Sequence, residues 1–310
     1  MTVIVISGGL SHERDVSLRS GRRITHALTS VGLNVVQADV SADLVELIES
    51  TDDPVVVPML HGGLGENGAL REVLDLMGVP YVGASGAASR ITFDKSIATP
   101  VVAAAGITTP RQVALPHDVF RELGATALMK QIGQELGFPL MVKPTLSGSA
   151  LGATKVEDAE GLPQAMVAAY AYGQVAIVEK FVEGTEVAVT VLETADGLRA
   201  LPPVEIRPNS GVYDYEARYT AGATRFVTPA ELPADVLAAA GQLALDVHRR
   251  LGLRHLSRTD IIVRPDGVPV FLEGNVAPGM TETSLAPLAI EAAQLDLGAV
   301  FADLVTLARG

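Results

Sequence analysis

The sequence predicts an α/β protein that begins with a parallel sheet covered by helices. Over residues 1–93, short apolar runs typical of buried strands alternate with segments whose apolar residues recur every three or four positions. The apolar runs at 3–6 and 55–57 both lead towards glycine pairs, and Gly32 and Gly78 follow the predicted helices. This alternation favours parallel pairing, because each crossover between parallel strands runs through a helix.

The composition is that of a globular protein with more than one domain. The chain has 310 residues, of which 48% are hydrophobic and 19% charged, which excludes disordered, collagenous and coiled-coil classes. Cysteine is absent, which excludes a disulfide scaffold, a thiol nucleophile and a cysteine-ligated metal. The net charge of −13 argues against nucleic acid and anionic membranes as partners. Neither a signal peptide nor a membrane-spanning segment is expected.

The rest of the chain divides into two further segments, so that three domains are predicted at 1–93, 94–182 and 183–310. In the second segment, Asp94 is a predicted N-cap, and the apolar face of the following helix is expected to contain Ile97, Val101, Val102 and Ala105. The further expected elements are a strand at 138–144, a helix at 158–171, a strand at 174–182, an alternating strand at 186–191, a long loop at 207–226 and a helix at 236–251.

A hairpin near the C-terminus collects polar side chains. The strand-like runs 259–263 and 268–272 flank a turn, and a hairpin centred between Asp266 and Gly267 is expected. This register sets Asp260 opposite Glu273.

The same register sets Arg258 opposite Asn275, and the two-residue strand period places all four side chains on one face. Two carboxylates and an amide oxygen form a hard oxygen site that suits Mg²⁺ together with a bound phosphate. The alternative is a solvated outer face with cross-strand ion pairs.

Lysine is confined to the middle of the sequence and indicates an anion site there. A glycine-rich loop at 147–152 follows the strand that bears Lys143, and small residues let backbone N–H groups approach an anion. The alternative for the lysine distribution is chance drift in composition. The alternative for the glycine-rich segment is an ordinary loop with no bound anion. Glu179, Lys180 and Glu186 lie at strand ends that suit the edge of an adenine pocket, or else are surface charges. All the lysines fall within one window, as Lys95, Lys130, Lys143, Lys155 and Lys180.

A set of short motifs in a fixed order resembles the D-alanine–D-alanine ligases of the ATP-grasp superfamily, over essentially the whole chain. The resemblance implies an ATP-grasp fold of mixed α/β and α+β class, with three domains and a Rossmann-like N-terminal parallel sheet. The matching segments are 12–17, 61–62, 65–68, 76–83, 94–95, 142–144, 213–219, 258–260, 273–275, 278–281 and 284–285.

The resemblance also implies a reaction. ATP phosphorylates the carboxylate of a first amino acid, and the amine of a second attacks the acyl phosphate, which releases a dipeptide, ADP and phosphate. For this family the amino acids are two D-alanines and the dipeptide is a peptidoglycan precursor. Two Mg²⁺ ions (or Mn²⁺), a homodimer and a cytoplasmic location are expected on the same grounds.

The resemblance assigns nucleotide and metal roles to particular residues. Asp260, Glu273 and Asn275 would hold the metal ions, with Glu273 bridging. The remaining nucleotide contacts would be Lys95, Lys143 and Arg218 to phosphates, Ser149 and Ala150 as the lid, Glu179, Lys180, Phe181 and Val182 around adenine, and Glu186 at the ribose.

Other residues are assigned to the amino acids and the reacting carbon. Arg258 and the N–H of Gly279 would stabilise the oxyanion. Glu13 would pair with the first ammonium near His61. The second carboxylate would meet Ser284 and the N–H of Leu285. Glu13, Ser149 and Tyr219 would form a hydrogen-bonded trio under the closing loop 207–226.

Two departures from the family pattern leave the substrate open. Where the family has Arg-Glu-Gly-Ser-Ser after the lysine strand, this chain has 146–150 as Leu-Ser-Gly-Ser-Ala, and Arg218 replaces the usual lysine. One interpretation is a D-alanine–D-alanine ligase with a variant lid, and the alternative is a relative that joins other amino acids, with a role in specialised metabolism. A binding module without phosphoryl transfer is disfavoured, since it would not need Asp260, Glu273 and Asn275 together.

Overall fold

A computed structural model describes residues 1–213, 217–218, 220 and 222–310. Its N-terminal part is the predicted parallel sheet, in the order β2-β1-β3. An unpredicted helix, α2, follows β2, and the apolar run at 55–57 lies within β3. The elements are β1 (Thr2–Ser7), α1 (Arg14–Ser30), β2 (Val35–Asp39), α2 (Leu44–Ser50), β3 (Pro54–Pro58), a 3-10 turn (Gly63–Gly65) and α3 (Ala69–Met77).

Two helices, α4 (Gly86–Phe93) and α5 (Lys95–Ala103), lead out of this sheet. Asp94 caps α5 as predicted, and its side chain accepts a hydrogen bond of 2.9 Å from the backbone N–H of Ser96. The predicted apolar face is right in part: Val102 is fully buried and Val101 packs against the same apolar cluster, but Ile97 is 44% exposed and the buried side of the helix also includes Lys95. The helix turns polar residues inwards because that side adjoins a charged cavity.

The middle of the chain forms an antiparallel sheet in the order β4-β7-β5-β6. The predicted helix at 158–171 begins later, because the Asp158 carboxylate accepts hydrogen bonds from Glu160 and Gly161 and so forms a turn there. The elements are β4 (Gln112–Pro116), α6 (His117–Leu123), α7 (Ala125–Leu136), β5 (Leu140–Pro144), β6 (Thr154–Val156), α8 (Leu162–Tyr170) and β7 (Val175–Lys180).

The C-terminal part forms a second antiparallel sheet in the order β11-β10-β8-β12-β13, with β9 also paired to β8. Strand β12, which lies between β8 and β13, is buried along its whole length. The elements are β8 (Thr185–Thr194), β9 (Gly197–Ala200), β10 (Val204–Pro208), β11 (Thr224–Val227), α9 (Ala234–Arg250), β12 (Leu256–Val263), β13 (Pro269–Asn275), α10 (Leu285–Ala292) and α11 (Leu297–Arg309).

The β12–β13 hairpin has the predicted register where the polar residues lie. Asp260 pairs with Glu273, and Arg258 pairs with Asn275. The predicted centre of the turn is wrong, because beyond Asp260 the register shifts by one residue at a β-bulge. The bulge at Leu272 centres the turn on Asp266 rather than between Asp266 and Gly267, and it keeps the polar pairs aligned.

Apolar packing joins the first and third sheets. Val3, Ile24 and Phe301 from the N-terminal layer and the last helix share one buried cluster with Leu192 and Ile206 of the third sheet. Helices α4 and α5 also pack against the third sheet, since Ala88 and Ala98 lie in a cluster with its strands. The division at 93/94 and 182/183 stays a prediction. Within the described ranges, every helix is too short or too polar to cross a membrane.

Candidate active site

Two adjoining cavities lie where the three sheets meet. The first has a volume of about 460 Å³ and the second about 820 Å³. Lys95, Arg218 and Glu273 line both, so one charged wall serves the two spaces. Predicted site residues found in the first are Glu13, His61, Lys95, Ser149, Arg218, Arg258, Glu273, Asn275, Gly279, Ser284 and Leu285. Those found in the second are Lys95, Lys143, Ala150, Glu179, Phe181, Val182, Glu186, Arg218, Asp260 and Glu273.

Lys95 connects three parts of the chain at the shared wall. It is the first residue of α5, it is only 8% exposed, and its Nζ lies 3.0 Å from Oε2 of Glu273 on β13. The same Nζ donates a hydrogen bond of 2.7 Å to the Ser147 carbonyl oxygen in the glycine-rich loop. Burial opposes ionisation of Glu273, but the charges of Lys95 and of nearby arginine and lysine outweigh it and lower the pKa of Glu273 to about 2. Glu273 is therefore an anion at neutral pH.

Arg258 and Asp260 form a buried ion pair between the two cavities. They are two residues apart on β12, and the guanidinium donates to both carboxylate oxygens at 2.7 and 2.9 Å. Burial acts to lower the pKa of Arg258, but the adjacent Asp260 charge more than offsets this and raises it. Since Arg258 and Asp260 are 6% and 3% exposed, the alternative of a solvated outer face is wrong for this pair.

The predicted metal ligands lie together at the end of the hairpin. Asp260 and Glu273 are opposite one another, and the Asn275 Oδ1 accepts a hydrogen bond of 2.9 Å from Ala277 N–H. Among the described residues, no group of three or more His, Asp or Glu side chains has metal-binding geometry. The predicted set has two carboxylates and one amide, a donor set that fits Mg²⁺ when phosphate oxygens supply further ligands.

Glu13 occupies a slot between two loops. The Ser149 hydroxyl donates to Glu13 Oε1 at 2.5 Å, across 136 residues of sequence. A Cβ atom at Gly62 or Gly148 would come within 2.8 or 2.9 Å of Glu13 Oε2, so glycine is required at both positions for the carboxylate to fit. The structure therefore brings together two members of the predicted trio, whereas the third, Tyr219, lies outside the described residues.

His61 forms part of the back wall of the first cavity. Its Nδ1 is 2.9 Å from the Ala277 carbonyl oxygen, which can only accept, so Nδ1 carries the proton. Burial lowers the pKa of His61 below its ordinary value, although Glu13 acts in the opposite direction, and the ring is neutral. Nε2 then accepts from the Ser20 hydroxyl at 2.9 Å, and the Ser20 oxygen accepts from Met280 N–H at 3.0 Å.

Gly279 and Ser284 lie close together in the loop before α10. A Cβ atom at Gly279 would be 2.9 Å from the Ser284 hydroxyl, so a side chain would displace that hydroxyl. The Ser284 oxygen accepts from Thr281 N–H at 3.0 Å, and Leu285 begins α10. The free N–H groups of a helix start favour a negative charge at this place.

The second cavity has the cations and the apolar edge expected for a nucleotide. Lys143 pairs with Glu179 at 2.7 Å across neighbouring strands. Ser149 and Ala150 both have left-handed backbone, with φ of 54° and 57°, a strained conformation for residues with a Cβ that is typical of functional loops. Burial and the nearby carboxylates raise the pKa of Glu186 to about 7, although Arg218 opposes this.

Two predicted cofactor residues differ in their placement. Lys180 does not line either cavity, because its Nζ donates to the carbonyl oxygens of Phe138 at 2.8 Å and Gly137 at 3.3 Å. Arg218 lines both, and its guanidinium lies 4.4 Å from the centre of the Tyr213 ring.

Sequence reasoning missed Glu66 and Lys155, which both belong to the site. Glu66, in one of the family-like motifs, is 8% exposed and lines the first cavity, where burial and the Glu13 charge raise its pKa to about 7. Lys155 lines the second cavity and lies 4.5 Å from the centre of the Phe181 ring. Lys155 on β6 pairs with Met141 on β5, and Met141 also pairs with Glu179 on β7. A prediction of the β5–β6 register would therefore have placed Lys155 near Glu179, a predicted adenine contact.

The comparisons with known proteins agree with this geometry. The family model described as D-ala D-ala ligase C-terminus matches residues 101–306. The chain is 36% identical to the D-alanine–D-alanine ligase of Pelotomaculum thermopropionicum, over 99% of this chain and 96% of that one. It is 40% identical to the one from Nitratidesulfovibrio vulgaris (strain DP4), over 99% and 98% of the two chains.

Solved structures show the same fold. The Bacillus anthracis D-alanine–D-alanine ligase complexed with ATP has a TM-score of 0.83 and 28% identity, over 100% of this chain and 97% of that one. The VanG D-Ala:D-Ser ligase from Enterococcus faecalis has a TM-score of 0.85 and 27% identity, over 99% of both chains. The predicted ATP-grasp fold is confirmed, and the relatives favour the ligase interpretation over the alternatives. The chain belongs to the D-alanine–D-alanine ligase family.

Proposed function

We propose that the protein joins two molecules of D-alanine in an ATP-dependent reaction that passes through an acyl phosphate. The observation that carries this proposal is the shared wall of Lys95, Arg218 and Glu273 between a cavity of amino-acid size and a larger one. A phosphoryl group moving from ATP to a carboxylate would cross this wall. Its cations suit the developing charge, since catalysis of phosphoryl transfer is mainly positioning and electrostatic stabilisation.

ATP would occupy the second cavity. Lys95 and Lys143 would contact its phosphates, the loop at Ser149 and Ala150 would cover them, and Glu186 would bind ribose hydroxyls. Glu179, Phe181 and Val182 would surround the adenine. Lys180 fits this set less well, because its Nζ donates to the backbone carbonyl oxygens of Gly137 and Phe138.

Asp260, Glu273 and Asn275 would hold Mg²⁺, with Glu273 shared between two ions. The metal would offset phosphate charge while the nucleotide is bound. Arg258 pairs with Asp260 and Lys95 pairs with Glu273, so each of the two carboxylates also has a basic side chain beside it.

The first D-alanine would bind beside Glu13, whose carboxylate would pair with the substrate ammonium. His61 would form a neutral wall, and its hydrogen bond to the Ala277 carbonyl would fix the loop that carries Gly279. Arg258 and the Gly279 N–H would stabilise the oxyanion formed when the amine attacks. Ser284 and the N–H of Leu285 would receive the carboxylate of the second D-alanine.

The covering groups would exclude water from the acyl phosphate. Ser149 already contacts Glu13, and Arg218 is on the segment expected to close over the site. Tyr219 would complete the trio with Glu13 and Ser149. A homodimer and a cytoplasmic location are part of the same proposal, and both derive from the family resemblance.

The test is ADP release from the purified protein with Mg²⁺ and a panel of amino-acid pairs. We expect stimulation by D-alanine alone, with D-alanyl-D-alanine as the product seen by mass spectrometry. L-alanine is the matched control. Stimulation by another amino acid but not by D-alanine would refute the substrate assignment, and ADP release without Mg²⁺ or Mn²⁺ would refute the metal assignment.

A further inference from the structure

Helix α1 forms one side of the loop at 276–284, which we call the substrate loop. The Val16 side chain is 3.9 Å from the position a Cβ of Gly279 would take. Ser20 accepts a hydrogen bond of 3.0 Å from Met280 N–H. Arg23 donates one of 2.7 Å to the Thr281 carbonyl oxygen. These helix residues are spaced by four and three positions, so a single face of α1 follows the loop.

Arg19 lies on this same face and points towards the first cavity. It is three residues after Val16 and four before Arg23, which are the spacings of neighbours on a helix surface. It lines the first cavity together with Gly279, Thr281 and Ser284. Arg19 is solvent-exposed, and in the part of the chain that the structure describes it forms neither an ion pair nor a hydrogen bond.

The other charges of the cavity leave a requirement for a cation at this end. Glu13, Glu66 and Glu273 contribute carboxylates to its lining. Among the cations there, Lys95 is paired with Glu273 and Arg258 with Asp260. A third, Arg218, lies at the wall shared with the second cavity and stacks on the Tyr213 ring. A carboxylate at the substrate loop would therefore need a cation other than these three.

Ser284 supplies only part of what a carboxylate needs. Its oxygen already accepts from Thr281 N–H at 3.0 Å and lies 2.8 Å from the Thr281 hydroxyl. The hydroxyl hydrogen of Ser284 and the N–H groups at the start of α10 remain as donors to a carboxylate, and none of these groups carries a full positive charge. A planar guanidinium can donate two parallel hydrogen bonds to a carboxylate and adds the missing charge.

We propose that Arg19 binds the α-carboxylate of the second amino acid and so selects nucleophiles that retain a free carboxylate. The inference rests on the proposed function, because it places the second substrate between α1 and the substrate loop. Arg19 acts on binding rather than on bond formation, since it is at the opposite end of the substrate from the attacking amine.

The test compares Arg19→Met and Arg19→Lys with wild type, with ATP and the first D-alanine saturating. We expect Arg19→Met to raise the KM for the second D-alanine by about 10- to 100-fold, the usual range for losing a charged hydrogen bond. The KM for ATP should stay unchanged, and Arg19→Lys should recover part of the loss. Arg22→Met is the matched control, because Arg22 is exposed on the same helix but lines neither cavity.

A second measurement removes the carboxylate from the substrate instead. D-alaninamide is offered as the nucleophile beside D-alanine, and the mixed dipeptide amide is quantified by mass spectrometry. Arg19→Met should form it about as fast as wild type, since the partner of Arg19 is already missing. Equal losses with D-alanine and D-alaninamide, or an unchanged KM for the second D-alanine, would overturn the proposal.

The two proposals fail in different ways. If wild type couples a different amino-acid pair, the D-alanine assignment is refuted, and the same variants are then compared with that pair. If wild type makes D-alanyl-D-alanine but Arg19→Met behaves like Arg22→Met, only the role of Arg19 is refuted.

Discussion

The β12–β13 hairpin and the glycine-rich loop at 147–152 are both in contact with Lys95, but they hold their functional groups differently. On the hairpin, backbone pairing sets Asp260 opposite Glu273, and each carboxylate has its own cation. On the loop, the positions of Ser149 and Ala150 depend on left-handed backbone and on contacts to residues far away in the sequence. The polar groups of the hairpin are therefore fixed by backbone pairing within the sheet. The loop is held by side chains, such as Glu13, that are also expected to contact the substrates.

The largest effect should come from breaking the hairpin side. Glu273→Gln removes one carboxylate charge from the shared wall and leaves Lys95 without its ion-pair partner. We expect turnover to fall by about 1,000-fold or more, a size common for lost electrostatic stabilisation of a transition state. ADP release measures it, and circular dichroism checks folding. Exposed Glu291→Gln is the control, and near-normal turnover in Glu273→Gln would contradict the proposed role.

A second experiment compares two buried carboxylates. Cations lower the pKa of Glu273 to about 2, whereas burial beside Glu13 raises that of Glu66 to about 7. Because the unfolded chain ionises Glu66 more readily, the protein loses stability as pH rises from the ordinary glutamate value through 7.

Glu66→Gln should remove this loss. Its free energy of unfolding should exceed that of wild type by roughly 3 kcal/mol at pH 8, and the difference should shrink towards pH 5. Urea unfolding at the two pH values measures it, with Glu291→Gln again as the control. A difference that grows as pH falls would show that Glu66 is ionised in the folded protein.

Ser149→Ala breaks the contact between the loop and Glu13. The hydroxyl donates to a carboxylate at 2.5 Å, so its loss should raise the KM for the first D-alanine by about 10-fold with little change in thermal stability. Ser147→Ala is the matched control, because Ser147 meets Lys95 through its backbone carbonyl, which the substitution keeps. Equal effects of the two substitutions would mean that the Ser149 hydroxyl has no specific role.

The smallest effect is expected from restoring the family sequence in the loop. Leu146 is 51% exposed, whereas Ser147 is half-buried and lines both cavities, so the double change Leu146→Arg with Ser147→Glu adds one charge at the surface and one of opposite sign at the site. We expect the KM for ATP to change about threefold, since the two new charges have opposite signs and the exposed one contributes little. Initial rates at varied ATP measure it. An unchanged KM and unchanged nucleotide affinity would show that the departure from the family pattern is neutral.

Short-range patterns predicted much of this molecule. The parallel first sheet, the capping role of Asp94 and the Asp260–Glu273 pair all depend on residues close together in sequence. Elements with weak or competing signals were missed or misplaced. Helix α2 went unpredicted, the buried face of α5 includes Lys95 instead of Ile97, and the turn of the hairpin is centred on Asp266 because of an unpredicted bulge.

The sequence by itself determined the family, the order of elements and the hairpin register, because strand and helix periodicity and short motifs are local properties of the chain. Only the tertiary structure decided which charges meet. Lys95 reaches both Glu273 and Ser147, Glu13 lies against a loop 136 residues away, and Glu66 is buried beside it. These contacts arise from the packing of three sheets around one site, and neither the distances nor the burial that shifts the pKa values is encoded within any single segment.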